Sequence, residues 1–277
     1  MLTLGKYSLL KILRKTDHGV YLCNEEGDEV LLPNKYVPEV YNFQDTIEVF
    51  IYKDSEDRII ATDLKPKIGL NEFAFLKVKD VSHVGAFLDW GLEKDLMAHI
   101  SEQSAPMKVG HRYVVYLYLD ENSERLAASA KLDRFFKKDA IELTTGQQVN
   151  ILVFAKTELG FSVVINNLYK GLLFKNEIFR KVEVGDRLVA YVKKIREDNK
   201  IDVSLQKQGF ENIEPNALKI LELLKNNGGK LFLTDKSDPE EIMTQLEMSK
   251  KTFKKAIGIL YSRHLIRIEE DGVFLVE

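Results

Sequence analysis

One plan is written three times along the first 208 residues, and it leaves few folds open. Each copy opens with an apolar stretch, reaches a glycine and continues as an alternating strand: Gly19-Val20-Tyr21-Leu22, Gly85-Ala86-Phe87-Leu88 and Gly160-Phe161-Ser162-Val163. These glycines stand 66 and then 75 residues apart. The copies also end alike, with a β-rich run, a polar turn and a short strand, the signature of a hairpin. The runs are residues 43–52, 109–119 and 184–192, and the polar turns follow near residues 54–57, 120–124 and 197–200. In the second run, strand alternation places Val115, Leu117 and Leu119 on one face and Tyr116 and Tyr118 on the other. Units of this size with about five strands fit small closed barrels, which remove exposed sheet edges.

After residue 208 the periodicity turns helical. Ala217, Ile220, Leu221 and Leu224 form one apolar stripe behind Pro215, stopped by Asn226-Asn227-Gly228-Gly229. Leu231-Phe232-Leu233 reads as a short strand. Asp238, Pro239 and Glu241 give a capped helix start. Ser249 caps a third helix with Phe253, Ala256, Ile257 and Leu260 inward, and an Asp271-Gly272 turn closes a final hairpin. Helix, strand, helix, helix, hairpin is the order of a winged helix, with the third helix in the recognition position. The expected fold is therefore mainly β with a C-terminal α+β module. Its four units are residues 1–66, 67–140, 141–208 and 209–277.

The net charge of −3 is unevenly spread, at −4, 0, +3 and −2 over those four units. Electrostatics alone would draw a polyanion to the third. Lys156, Lys170, Lys175, Arg180, Lys193, Lys194 and Arg196 lie there with Phe161 and Phe174, the cations and aromatics that a single-strand groove needs. Each such charge is, singly, more often just solvated surface. Lys250, Lys251, Lys254 and Lys255 crowd the start of the third C-terminal helix, where lysine opposes the helix dipole by a few tenths of a kcal/mol each. A solvated face and a polyanion contact both account for them. The acidic tip Glu269-Glu270-Asp271 argues against ordinary duplex-DNA reading.

The three barrel units resemble S1-type RNA-binding domains, which are OB-folds. The second matches best, through Gly85, Phe87, His99, Ser101, Glu102 and Gly110, and departs at Leu96, where that family prefers glycine. Phe174 replaces the histidine in the third unit and Pro33 in the first. The resemblance puts Phe87 and Tyr21 at the base-stacking position, leaves Ser162 there in the third unit, and makes His99 RNA-facing. Trp90 is a further stacking candidate, with core packing as the competing reading. Three S1-type units before a winged helix resemble the conserved virulence factor B family of bacteria. That resemblance implies RNA binding and post-transcriptional control of gene expression.

Chemistry of other kinds finds little support. His18, His83, His99, His111 and His264 show no metal-ligand spacing, and no phosphate loop or nucleophile elbow occurs. No enzymatic activity, cofactor or metal is expected. The lone Cys23 excludes an internal disulfide and points to a reducing cytoplasm. No apolar run is long enough for a membrane span, and Met1-Leu2-Thr3-Leu4-Gly5-Lys6 lacks the layout of a signal peptide. The expected partner is single-stranded RNA. The competing readings are a DNA-binding transcription regulator acting through the winged helix and a scaffold contacting ribosomes or other proteins. The first unit, at net −4, is expected to be a spacer or protein-contact module.

Overall fold

The computed structural model describes residues 2–178, 180–206 and 215–276. The expected junction at residues 208 and 209 lies outside them. The chain forms two compact units, residues 1–205 and 206–277.

The first unit holds three five-stranded sheets of one design. Strands β1 (Tyr7–Thr16), β2 (Gly19–Cys23), β3 (Glu29–Pro33), β4 (Thr46–Lys53) and β5 (Ile59–Thr62) close a barrel in the order β1-β2-β3-β5-β4. Strands β6 (Phe73–Val81), β7 (Gly85–Asp89), β8 (Leu96–His99), β9 (Arg112–Asp120) and β10 (Arg125–Ser129) make the second sheet. Strands β11 (Gln148–Lys156), β12 (Gly160–Ile165), β13 (Tyr169–Phe174), β14 (Arg187–Ile195) and β15 (Ile201–Ser204) close another barrel.

Register shows how deep the repetition runs. The first strand of each copy is bulged at one equivalent place, between Ile12 and Arg14, Val78 and Asp80, and Val153 and Ala155. The repeated glycines meet the third strand at Pro33, His99 and Phe174. A methyl group at Gly19, Gly85 or Gly160 would lie 2.1, 2.4 or 2.0 Å from a carbonyl oxygen of that neighbouring strand. Close backbone approach therefore demands glycine in all three copies. Each last strand ends on a buried hydroxyl residue, Thr62, Ser129 or Ser204. Thr62 Oγ1 accepts from Leu64 N at 3.1 Å and Ser129 Oγ from Lys131 N at 3.0 Å, which turns the chain out of the sheet.

The middle copy departs from a fully closed barrel. Its sheet runs β10-β9-β6-β7-β8 with no backbone ladder between β8 and β10. One equivalent position explains the difference. In the third copy it is Gly171, and β13 pairs with β15 over three residues. In the first it is Val30, and one bridge survives, Leu31 to Ile60. In the second it is Leu96, whose buried side chain keeps the strands apart. Gln103 Nε2 instead donates to Ala98 O on the β8 edge at 3.0 Å, and Ala130 N, just after β10, donates to Glu102 O at 2.9 Å, which ties the two sides of the seam through the turn after β8.

The barrels share cores. Phe50, Tyr52 and Ile60 of barrel 1 belong to one buried cluster with Trp90, Leu92 and Leu88 of barrel 2. Phe73, Val114 and Phe136 form another with Leu152 and Val164 of barrel 3. Both joints use the same parts. Phe50 and Tyr116 occupy equivalent register positions on β4 and β9. Each is met by the loop after the second strand of the following barrel or by the segment leading into it.

The second compact unit has α1 (Pro215–Asn226), β16 (Lys230–Leu231), α2 (Pro239–Leu246), α3 (Lys250–Ser262), β17 (Ile266–Glu269) and β18 (Gly272–Leu275), a winged helix. The apolar stripes of α1 and α3 are wholly buried. Asp238 and Ser249 cap α2 and α3 through Glu240 N and Thr252 N, at 2.8 and 3.1 Å. Glu269 pairs with Gly272, so Glu270 and Asp271 form the tip, one residue earlier than the sequence suggests. Gly272 is needed for another reason: a methyl group there would lie 2.5 Å from Leu231 O.

Candidate nucleic-acid interface

On β7 the neighbours Ala86 and Leu88 point into the core, which turns Phe87 outward, half-buried opposite Met97. Phe87 lines a cavity of about 600 Å³ with Met97, His99, Tyr118 and Leu126. Tyr52 and Lys53 of barrel 1 form another part of its wall. His99 is exposed at the end of β8, where Nδ1 sits 2.7 Å from Ser101 Oγ and accepts from Ser101 N at 3.2 Å. The histidine is thus fixed by the short turn that follows it, with the rest of its ring free to meet a ligand. Tyr118 extends the aromatic surface. Phe135 lies 5.6 Å from its ring and stacks on Tyr116 at 4.1 Å, and the Arg134 guanidinium covers both Tyr118 and Phe135, at 5.4 and 4.6 Å.

Of the two readings of Trp90, the structure takes core packing over base stacking. Only 3% of it is exposed; it packs edge-on against Phe50 at 5.9 Å and Tyr52 at 6.3 Å, and its Nε1 donates to Lys94 O at 2.6 Å. Its place is the joint between barrels 1 and 2, where it also contributes to the cavity lining. Tyr21 holds on β2 the position that Phe87 holds on β7, but Arg14 lies 3.9 Å over its ring and pairs with Glu29.

In barrel 3 the equivalent groove has about 800 Å³ and is lined by Ser162, Lys170, Leu172, Arg196 and Asp202, with residues 136–139 along one side. Phe161 is not presented there: it packs against the barrel-3 core. Phe174 is half-buried beneath the Arg196 guanidinium at 5.7 Å and lies outside the groove lining. Several expected cations are engaged by carboxylates. Lys170 reaches Asp133 at 2.6 Å, and Lys193 reaches the buried Glu177 at 2.7 Å. Arg196 holds both oxygens of the buried Asp202, each at 2.9 Å. Only the Nε–Oδ2 contact is a hydrogen bond, and this charge-assisted bond orients Arg196 before any ligand arrives. Lys156, Lys175, Arg180 and Lys194 are exposed.

On α3 the four lysines divide. Lys250 donates to Ser237 O at 2.7 Å and Lys254 approaches Asp235 at 3.3 Å, both local roles. Lys251 and Lys255 are exposed on the face opposite the buried stripe.

Sequence reasoning missed Tyr118, Phe135 and Lys53 as parts of the site. The Tyr116 and Tyr118 alternation was a usable signal for Tyr118; nothing local marks Phe135, which follows β10, or Lys53, which reaches the groove from another barrel. Among the described residues no three His, Cys, Asp or Glu side chains are grouped to hold a metal ion, and no helix is long and apolar enough to cross a membrane.

Comparison with known proteins adds independent findings. Residues 4–63 match the S1 domain family, and residues 218–275 match the CvfB-like winged helix domain. A Bacillus subtilis protein, the uncharacterized protein YitL, is 29% identical over 92% of this chain and 88% of its own length. A Staphylococcus epidermidis protein named conserved virulence factor B is 23% identical, over 99% of this chain and 95% of its own. A crystal structure of a multidomain protein with nucleic acid binding domains from Streptococcus pneumoniae is 25% identical, covers 99% of this chain and 98% of that one, and has a TM-score of 0.43.

Proposed function

The chain is a relative of the bacterial proteins named conserved virulence factor B, with an S1 domain and a CvfB-like winged helix, and on that premise we propose that it binds single-stranded RNA in post-transcriptional control. The S1 and winged-helix domains support nucleic-acid binding in general. The finer reading rests chiefly on one observation: a half-exposed Phe87, beside Tyr118 and His99, lines a groove on the outer face of barrel 2. Every base has a π-face, so aromatic walls bind unpaired strands with little regard to sequence, at about 1–3 kcal/mol per stacked base. The groove of barrel 3 offers cations in place of the aromatic. The exposed Lys251 and Lys255 of α3 are a further contact for phosphates.

In this reading the protein acts by binding, in the cytoplasm, and not by catalysis. The four modules are taken as residues 1–66, 67–140, 141–208 and 209–277. Fluorescence anisotropy with the full chain tests the reading. A 12-nucleotide single-stranded RNA should bind more tightly than duplex DNA of equal length at matched salt. Tighter binding of the duplex would favour a DNA regulator, against which the acidic wing tip at Glu270 and Asp271 weighs.

A further inference from the structure

Lys53 ends β4 of barrel 1, yet its side chain lies in the wall of the barrel-2 groove and is only 17% exposed. An ammonium withdrawn from water needs a close anion. The carboxylate that approaches it is Glu124, 4.0 Å away on the β9–β10 turn and itself 82% exposed. The other charges around this groove are held more firmly. Lys94 donates to Asp54 O at 2.6 Å and to Asp57, and Arg125 pairs with the same Asp57. Glu93 is paired with Lys35, Asp95 with Lys79 at 2.6 Å, and Asp120 accepts from Ser123 at 2.5 Å. Among the described residues lining the groove, Lys53 is therefore the cation whose pairing is loosest, and it shares that lining with Phe87 and Tyr118.

We propose that barrel 1 supplies Lys53 as a phosphate contact for a single strand of RNA held in the barrel-2 groove, so that the site is composite and spans two barrels. The inference rests on the RNA reading above and departs from the expectation that barrel 1 is a spacer. Its geometry suits a nucleotide: bases lie on Phe87 and Tyr118, and the phosphate turns toward the barrel-1 wall, displacing Glu124 into solvent.

The test uses the full chain and a fluorescein-labelled 12-mer of oligouridine, titrated across a range of salt. Lys53→Gln should weaken binding at every salt concentration and reduce the slope of log K against log salt by about 0.7, the value for one single-strand phosphate contact. Lys53→Arg should restore the slope. Phe87→Ala should weaken binding about five- to 150-fold and leave the slope unchanged. Should Lys53→Gln bind like the parent while Phe87→Ala binds poorly, the composite site is wrong and the RNA reading stands. If the parent binds no oligouridine, both fall. A second measurement is independent of any folding defect: oligomers carrying 4-thiouridine should photocrosslink to the peptide containing residues 53–57. Crosslinks confined to barrels 2 and 3 would overturn the proposal.

Discussion

Gly160 and Trp90 show how single side chains set this architecture. A methyl group at Gly160 would press to 2.0 Å from the Leu173 carbonyl, where the neighbour is backbone and has nowhere to move. Gly160→Ala should therefore destabilise the protein by about 1–3 kcal/mol, read from the urea midpoint. Trp90→Ala should cost about 3–5 kcal/mol in the same assay, as expected for a deleted core aromatic, whereas Phe87→Ala should leave the midpoint nearly unchanged. Asp57 carries a pH dependence. Burial pushes its carboxyl up, but hydrogen bonds from Arg125 and Lys94 outweigh this and hold it below its ordinary 3.8. A group depressed in the folded state adds stability above its unfolded value and loses it as pH falls through the folded one. Asp57→Asn, which tolerates the left-handed backbone found there (φ 61°), should lower the urea midpoint at pH 7. The gap from the parent should close as pH falls below 3.8. At this scale the glycines were legible because sterics is local. Core packing was a reading the sequence offered for Trp90, but its partners Phe50 and Tyr52 were not legible, because they lie some forty residues away on another barrel.

At the scale of elements, the seam between the third and last strands follows the residue at one position. Glycine allows a three-residue ladder, valine one bridge, leucine none. Backbone amides without ladder partners open readily. Hydrogen exchange should therefore be faster in β8 and β10 than in β13 and β15. The departure at Leu96 was visible in the sequence, but its consequence needed the strand register. Helix α3 shows a second tension, since exposed lysine at its start opposes the helix dipole. Lys251→Glu should stabilise the fold by a few tenths of a kcal/mol, read as a slightly higher melting temperature, while weakening RNA binding in the anisotropy assay. Its buried stripe and cap were readable from spacing alone, because a helix face repeats within four residues. The division of its lysines was not, since Lys250 and Lys254 find their partners in the loop before α2.

Over the whole chain, the barrels are distinct as repeats but not as bodies. Shared clusters join barrel 1 to barrel 2 and barrel 2 to barrel 3. The repeat was read correctly as three copies of one plan, whereas the joints stayed hidden because they are built from aromatics that repeat logic treats as surface. The chain contains one tryptophan, and it sits in the first of these joints. Intrinsic fluorescence excited at the red edge of protein absorption therefore reports one place only. Its emission describes the meeting of two barrels, not the average state of a 277-residue chain. A ligand that straddles that meeting would alter the colour or lifetime of this single emitter without any label, and one that binds elsewhere would leave it dark to the event.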